Sequence, residues 1–65
     1  MFEFVLYRVE FDKNGRPKID KRFTPVIYST LDEALIGQSY YKNQEYIYYP
    51  NGRHYEWYIE HRIKL

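Results

Sequence analysis

The sequence predicts a single small α+β domain over residues 1–65, in which an antiparallel sheet carries one helix on one face. Three features support this prediction. Apolar residues alternate with polar ones near both ends of the chain, Asn-Gly turn signals occur twice, and one segment carries a helix capping box. In chain order, these features predict the elements β-β-α-β-β.

The first strand is predicted from Phe2 to Phe11. Every second residue from position 5 is apolar, which places on one face Val5, Tyr7, Val9 and Phe11. Phe2 and Phe4 add apolar mass to the opposite face, so the strand is expected in the interior of the sheet near its beginning. After the strand, Asn14-Gly15 marks a tight reversal, because both residues tolerate positive φ.

A second strand is predicted over about residues 18–24, with Ile19 and Phe23 on one face. Pro25 follows this strand and has no N–H to donate to a ladder. Residues 26–28 are therefore expected to form an extension at a sheet edge or a crossover to the helix.

The helix is predicted at about residues 31–42. Thr30 caps the free N–H groups at its start, and Glu33 completes a capping box three residues later. The stripe expected to face the sheet is Leu31, Ala34, Leu35, Gln38 and Tyr41. Gly37 costs about 1 kcal/mol of helix propensity relative to alanine. We interpret it as a point of close packing between helix and sheet, in preference to a contact point for a partner.

The last two strands are predicted as a hairpin over residues 44–60. In the final strand one face is formed by Tyr55, Trp57, Ile59, Ile63 and Leu65. The opposite face is formed by His54, Glu56, Tyr58, Glu60, Arg62 and Lys64. The first set is the more apolar, so it is expected to face the core.

Two turn geometries fit the hairpin. A two-residue type I′ turn at Asn51-Gly52 places inward Tyr46 and Tyr48. A type I turn followed by a glycine in a G1 bulge shifts the pairing by one residue, which places inward Ile47 and Tyr49. We favour the second geometry, because Pro50 is pre-set for the first central position of a type I turn and Ile47 is the only aliphatic residue of the strand.

Composition narrows the classes of function. The chain has 10 Lys and Arg against 9 Asp and Glu, so no strong overall field exists to attract a polyanion or to imitate one. It has no cysteine, hence neither disulfides nor thiolate metal sites, which fits a cytoplasmic protein. No apolar run approaches the roughly 20 residues of a membrane helix, so no membrane association is expected.

Catalytic and metal sites are not expected either. His54, Glu56 and Glu60 share a face, but same-face neighbours on a strand are roughly 7 Å apart and would reach one ion only if the strand were bent. Neither Ser29 nor Ser39 has a histidine nearby in the sequence to act as its base. We therefore predict that the chain is not an enzyme and uses neither a metal nor a cofactor.

Protein binding is the predicted function. In the favoured register, the outer face of the hairpin carries the candidate binding residues Tyr46, Tyr48, Tyr58, His54 and Arg62. Tyrosine and arginine are enriched at the hot spots of protein interfaces. The chain would then be a small module that occupies a partner's surface, as a microbial or phage accessory or inhibitor protein does. Because one short helix covers only one face of the sheet, a homodimer through the other face is a second expectation.

Single-stranded nucleic-acid binding is the alternative, with bases stacked on sheet tyrosines. The cations of such a site would come from Lys13, Arg16, Lys18, Lys21 and Arg22. We rank this alternative second, because Glu56 and Glu60 share the tyrosine face and no RNA-binding motif is present.

A substitution at Trp57 tests the face assignment of the last strand. Replacing Trp57 with alanine is expected to lower the free energy of unfolding by roughly 3 to 5 kcal/mol, because a large inward side chain is lost from a small core. Thermal and urea unfolding of parent and variant measure the difference. A variant that melts within a few degrees of the parent would place Trp57 outside the core.

Overall fold

The computed structural model describes residues 1–48 and 55–64. Its elements are, in order, β1 (Phe2–Phe11), β2 (Pro17–Ile19), β3 (Val26–Tyr28), α1 (Leu31–Tyr48) and β4 (Glu56–Ile63). All the strand pairs are antiparallel and belong to one four-stranded sheet. The predicted α+β fold, with one helix on an antiparallel sheet, is confirmed. The order differs in one respect, because the third strand precedes the helix.

β1 is the central strand. One of its edges pairs with β4 without interruption, from Phe2 opposite Ile63 to Val9 opposite Glu56. The other edge pairs with β3 along its first half and with β2 near its end. β2 and β3 therefore lie end to end along one side of β1, while β4 lies along the other side.

The register assigns every strand side chain to a face, because residues directly opposite each other in a sheet share a face. One face carries Phe2, Phe4, Leu6, Arg8, Glu10, Lys18, Val26, Tyr28, Trp57, Ile59, His61 and Ile63. We call it the helix face, because α1 lies on it. Leu6 from β1 and Ala34 from α1 are both fully buried there. The predicted inward face of the last strand is confirmed for Trp57 and Ile59, whereas Ile63 lies on this face but is 64% exposed.

Aromatic contacts join α1 to the helix face. The ring of Tyr41 stacks on that of Trp57 with 5.5 Å between centroids. Phe23 meets both rings edge-on, with its centroid 5.1 Å from each. Trp57 thus contacts two aromatic side chains from different parts of the chain, as expected of a core residue.

The reversal after β1 and the start of α1 follow the predicted local chemistry. Gly15 has a φ of 77°, and the Oδ1 of Asp12 accepts hydrogen bonds from two backbone N–H groups in the same turn. At the helix start, the N–H of Glu33 donates to the Oγ1 of Thr30 at 3.2 Å. Thr30 is therefore the N-cap, and the acidic side chains of the first turn face the positive end of the helix dipole.

The predicted second strand is too long, because β2 ends at Ile19. Asp20 ends the ladder: its Oδ1 accepts the N–H of Arg22 at 3.0 Å, and its carbonyl accepts the N–H of Phe23 at 3.2 Å. These bonds turn the chain away from the edge of the sheet. Ile19 and Phe23 consequently lie on opposite faces, contrary to the prediction. The chain returns at residues 26–28, and the predicted edge extension there is confirmed as β3.

The predicted strand at the start of the final hairpin is wrong, because α1 continues to Tyr48. The tyrosines and Ile47 favoured a strand by propensity. Extending an existing helix, however, gains one hydrogen bond per residue without a new nucleation cost. The segment also contains strong helix formers, namely Lys42, Gln44 and Glu45.

Neither of the two hairpin registers applies to this chain, because both require a strand before the turn. Tyr46, Ile47 and Tyr48 belong to α1. Tyr49 and the predicted turn residues 50–52 lie outside the described residues.

Gly37 is a point of close contact between α1 and the sheet, as predicted. A Cβ built at Gly37 would overlap the hydroxyl and ring of Tyr28, and burial raises the pKa of that tyrosine. Glycine is therefore required here by space and not by backbone conformation.

Replacing Gly37 with alanine is expected to destabilise the fold by about 1 to 3 kcal/mol through overpacking, despite a gain of about 1 kcal/mol in helix propensity. In a Tyr28→Ala background the overlap is absent, so the same replacement should be neutral or stabilising. Urea unfolding of the four proteins of this double-mutant cycle measures the coupling. Additive effects, with no coupling between the two positions, would contradict the assigned contact.

Candidate functional site

The face of the sheet opposite α1 is uncovered in the part of the chain that the structure describes. We call it the open face. Its apolar side chains are Val5, Tyr7, Val9, Phe11, Ile19, Ile27 and Tyr58. Contiguous apolar surface of this kind is typical of an interaction site, because soluble monomers expose few such patches.

The open face has a buried centre and an exposed periphery. Val5 is only 1% exposed, since it lies between Ile27 of β3 and Glu60 of β4. Ile27 itself is 56% exposed and Tyr58 is 58% exposed. Large apolar area therefore remains in contact with water on both sides of a buried central residue.

Charged groups border the open face along β1 and β4. Arg62 donates from Nε to the Oε1 of Glu3 at 2.7 Å. Glu60 lies near Tyr7, and burial together with a hydrogen bond to Glu60 raises the pKa of Tyr7. Glu56 is exposed at the other end of β4. Among the strand residues of this face, three carboxylates thus stand against one guanidinium, and the border is acidic.

Two of the predicted binding residues, Tyr58 and Arg62, lie on the open face as the strand alternation indicated. Tyr46 and Tyr48 do not lie in the sheet, because the chain is helical at these positions. His54 lies outside the described residues. The structure therefore places two of the five on one face, with Tyr58 opposite Tyr7 and Arg62 opposite Glu3 of β1.

The sequence reasoning missed Ile27, which is one of the most exposed apolar residues of this face. The segment 26–28 carried a usable signal, because three residues of high β propensity stand directly after Pro25. Interpreting them as an extension or crossover left their face unassigned. Tyr7 and Val9 were assigned correctly to one face, but the sequence did not show which face the helix would cover.

The basic residues proposed for nucleic-acid contact surround the turn between β1 and β2 and the turn after β2. Lys13, Arg16 and Lys21 are exposed and make no ion pair with another described residue. Lys18 is opposite Glu10 and so belongs to the helix face. These cations do not form a continuous strip with the tyrosines of the open face.

Arg22, the fifth of these basic residues, is bound to carboxylates. It donates from Nε to the Oδ1 of Asp20 at 3.0 Å and from Nη2 to the Oε2 of Glu10 at 3.1 Å. Arg8 contacts the Oδ2 of the same aspartate at 2.7 Å and lies over the ring of Tyr55, 4.5 Å from its centroid. We call this group the Asp20 cluster.

The Asp20 carboxylate is buried, at 1% exposure for the residue. Hydrogen bonds from the Arg22 side chain, and then from its backbone N–H and from Arg8, outweigh burial and lower the pKa of Asp20 to about 2. Asp20 is thus ionised and bound to both arginines at neutral pH. A structural role accounts for all of its contacts.

A groove lies between α1 and β4. It is lined by Gln38, Ser39, Lys42, Tyr55, Glu56 and Trp57. The lining includes no histidine that could act as a base for Ser39. Among residues 1–48 and 55–64, no group of three or more potential ligand side chains could hold a metal ion. Within the same residues, no helix combines the length and apolar character needed to cross a bilayer.

The chain was compared with protein-family models, with curated proteins and with solved structures, and none of these comparisons yields a match.

Asp20→Asn is expected to destabilise the fold by about 1 to 3 kcal/mol at neutral pH, because two arginines lose their charged acceptor. The folded-state pKa lies below the unfolded value of about 3.9. The stabilisation by ionised Asp20 is therefore complete above that value and is lost as the pH falls toward about 2. Melting temperatures recorded across this range should fall less steeply for the variant. Parallel pH profiles would show that Asp20 makes no such contribution.

Proposed function

We propose that the chain is a small non-catalytic protein-binding module that acts by occupying a partner's surface with its open face. The observation that carries this proposal is the half-exposed apolar area around Ile27 and Tyr58, with no described element packed against it. Leaving such side chains in water forgoes roughly 25 cal/mol for each Å² of apolar area that could be buried. A partner that covers them recovers this free energy.

The charges on the border of the open face define the partner's chemistry. Glu56 and Glu60 have no basic residue opposite them in the β1–β4 ladder, whereas Arg62 is neutralised by Glu3. A complementary surface therefore has an apolar centre bordered by lysine or arginine. Complementary charges of this type raise association rates and exclude wrong partners more than they add affinity.

An acidic border also argues against nucleic acid as the ligand of this face. Phosphates would approach three carboxylates, and the one guanidinium among them is already paired. The cations proposed for phosphate contact that make no ion pair with another described residue, Lys13, Arg16 and Lys21, lie around the β2 turns, and Lys18 points to the helix face. The tyrosines of the open face and these cations would thus be on different surfaces.

Occupying a partner's surface requires no chemical step. The residues of the open face therefore need only be held in fixed positions. Val5 and Leu6, which are buried on opposite faces of β1, fix the central strand. A cytoplasmic location agrees with the lack of cysteine. An accessory or inhibitor protein of a microbe or phage would work in this way.

Capture from a lysate of the source organism tests the proposal with two open-face variants and one matched control. Ile27→Ser and Tyr58→Ser remove exposed side chains of the open face, whereas Ile36→Ser removes a side chain of α1 that is 72% exposed. Each variant should keep its stability within about 1 kcal/mol, as surface changes do. Loss of the exposed aromatic anchor Tyr58 should weaken binding by roughly thirtyfold.

The expected result is a specific protein that the parent and Ile36→Ser both retain after nuclease treatment and that the two open-face variants lose. Recovery of no such protein, or equal recovery by all the variants, overturns the proposal. Material that disappears on nuclease treatment would instead support the nucleic-acid alternative.

A further inference from the structure

Within residues 1–48 and 55–64, no strand pairs with the outer edge of β4, which we call its free edge. The N–H of Lys64 donates to the carbonyl of Met1 at 2.9 Å, which identifies the even-numbered residues of this strand as those bonded to β1. The odd-numbered residues direct their backbone groups away from the sheet. One of these groups, the carbonyl of Trp57, accepts a hydrogen bond from Gln38 Nε2 at 2.7 Å. Within residues 1–48 and 55–64, the outward groups of Ile59, His61 and Ile63 have no hydrogen-bond partner.

The opposite edge of the sheet is protected by several devices. β2 and β3 have three residues each, and residues 20–25 interrupt the edge between them. Pro17 removes one outward donor, and Pro25 stands next to β3. Short strands, proline and interruptions are the usual means by which proteins prevent pairing at an edge.

β4 has none of these devices. It contains eight residues, with neither glycine nor proline, and its continuous register with β1 leaves no bulge. A regular strand of this length is a template for another strand. The contrast between the two edges indicates that pairing is prevented on one side of the sheet and permitted on the other.

We infer that the free edge of β4 pairs antiparallel with β4 of a second copy of this chain, about a two-fold axis at His61. In this register Ile59 lies opposite Ile63 of the second copy, and His61 lies opposite its own counterpart. The outward backbone groups of these three residues then bond across the axis. The resulting ladder consists of the groups that lack partners among the described residues of the single chain.

The side chains of β4 are self-complementary in this register. On the open face, Glu60 comes opposite Arg62 of the second copy, and the symmetry repeats the pair. Tyr58 comes opposite Lys64, where an ammonium group can lie on the aromatic ring. Directly opposed pairs of opposite charge stabilise antiparallel strands. On the helix face, Ile63 and Ile59 cover each other, and Ile63 is 64% exposed in the single chain.

Two-fold axes at Glu60 and Arg62 would give the neighbouring registers, but each places a charged side chain directly opposite its own counterpart, which is destabilising. A two-fold axis at Ile59 gives the next register. It would place Glu56 opposite Arg62 and would require the outward groups of Trp57 to bond to the second copy. The carbonyl of Trp57 already accepts from Gln38. Centring the pair on His61 needs hydrogen bonds from residues 59–63 only and so leaves this bond intact, which is why we assign that register.

Pairing at β4 joins the two sheets into one and places the two open faces side by side. The dimer thereby presents twice the apolar surface of the single chain, and neither chain needs a larger core. The pairing itself depends only on the β4 edge, and it stands or falls independently of the function proposed for the open face.

Sedimentation velocity across a concentration series tests the pairing. The parent is expected to form dimers as the concentration rises. Glu60→Arg and Arg62→Glu should each weaken the dimer about tenfold or more, because two attractive pairs become repulsive. An equimolar mixture of the two variants should dimerise like the parent, since arginine at position 60 of one chain faces glutamate at position 62 of the other. Circular dichroism melts of dilute samples verify that each variant is folded.

Glu56→Arg is the matched control, because it reverses a charge on the same face of β4 outside the paired segment. It should leave dimerisation unchanged. His61→Cys should form an intermolecular disulfide across the axis, whereas Ile59→Cys should not. A parent that stays monomeric throughout the series overturns the inference. Association lost on Glu56→Arg but kept on Glu60→Arg overturns it as well, because that pattern belongs to the axis at Ile59.

Discussion

The ion pairs of the buried Asp20 carboxylate are the interaction on which the arrangement of the rest of the chain depends. Asp20 ends β2 and binds Arg8 of the central strand and Arg22 of the following turn. A buried charge is tolerated only when it is paired and hydrogen-bonded, and all the contacts of Asp20 serve this purpose. The turn that it stabilises carries Phe23 to the helix face, where its ring meets those of Tyr41 and Trp57. The contacts of Asp20 thus interrupt one edge of the sheet and also place Phe23 in the aromatic core.

A chain of 65 residues with one helix can complete only one face of a sheet. The helix face takes α1, the Phe23 ring and Trp57, while the open face retains its apolar side chains in contact with water. The two edges are unequal for a related reason. Residues 20–25 leave the sheet on the β2–β3 side in order to reach the helix face, which breaks that edge and leaves β4 as the continuous one.

Local chemistry that acts within a few residues was predictable from the sequence. The glycine reversal at position 15, the Thr30 cap and the alternation of β4 all follow from neighbouring residues. The end of α1 was not predictable in this way, because tyrosine and isoleucine favour strands by propensity and the competing term is the cooperativity of a helix already begun. The end of β2 depended on Asp20 meeting Arg8, which is 12 residues away in sequence. A contact of this kind is invisible to the periodicity of either segment.

The candidate site was predictable only to the extent that its residues lie on β4. Tyr58 and Arg62 were found because strict alternation assigned them to one face, whereas Ile27 was not, because a strand of three residues has too little pattern to assign. The density of tyrosine after residue 40 was misleading, since those up to Tyr48 belong to the helix. The high content of aromatic residues therefore indicates that side chains suited to an interface are present. It does not show where on the fold the binding surface lies. The location follows from which face α1 covers, and the close contact of Gly37 with Tyr28 is one of the contacts by which the helix packs on that face.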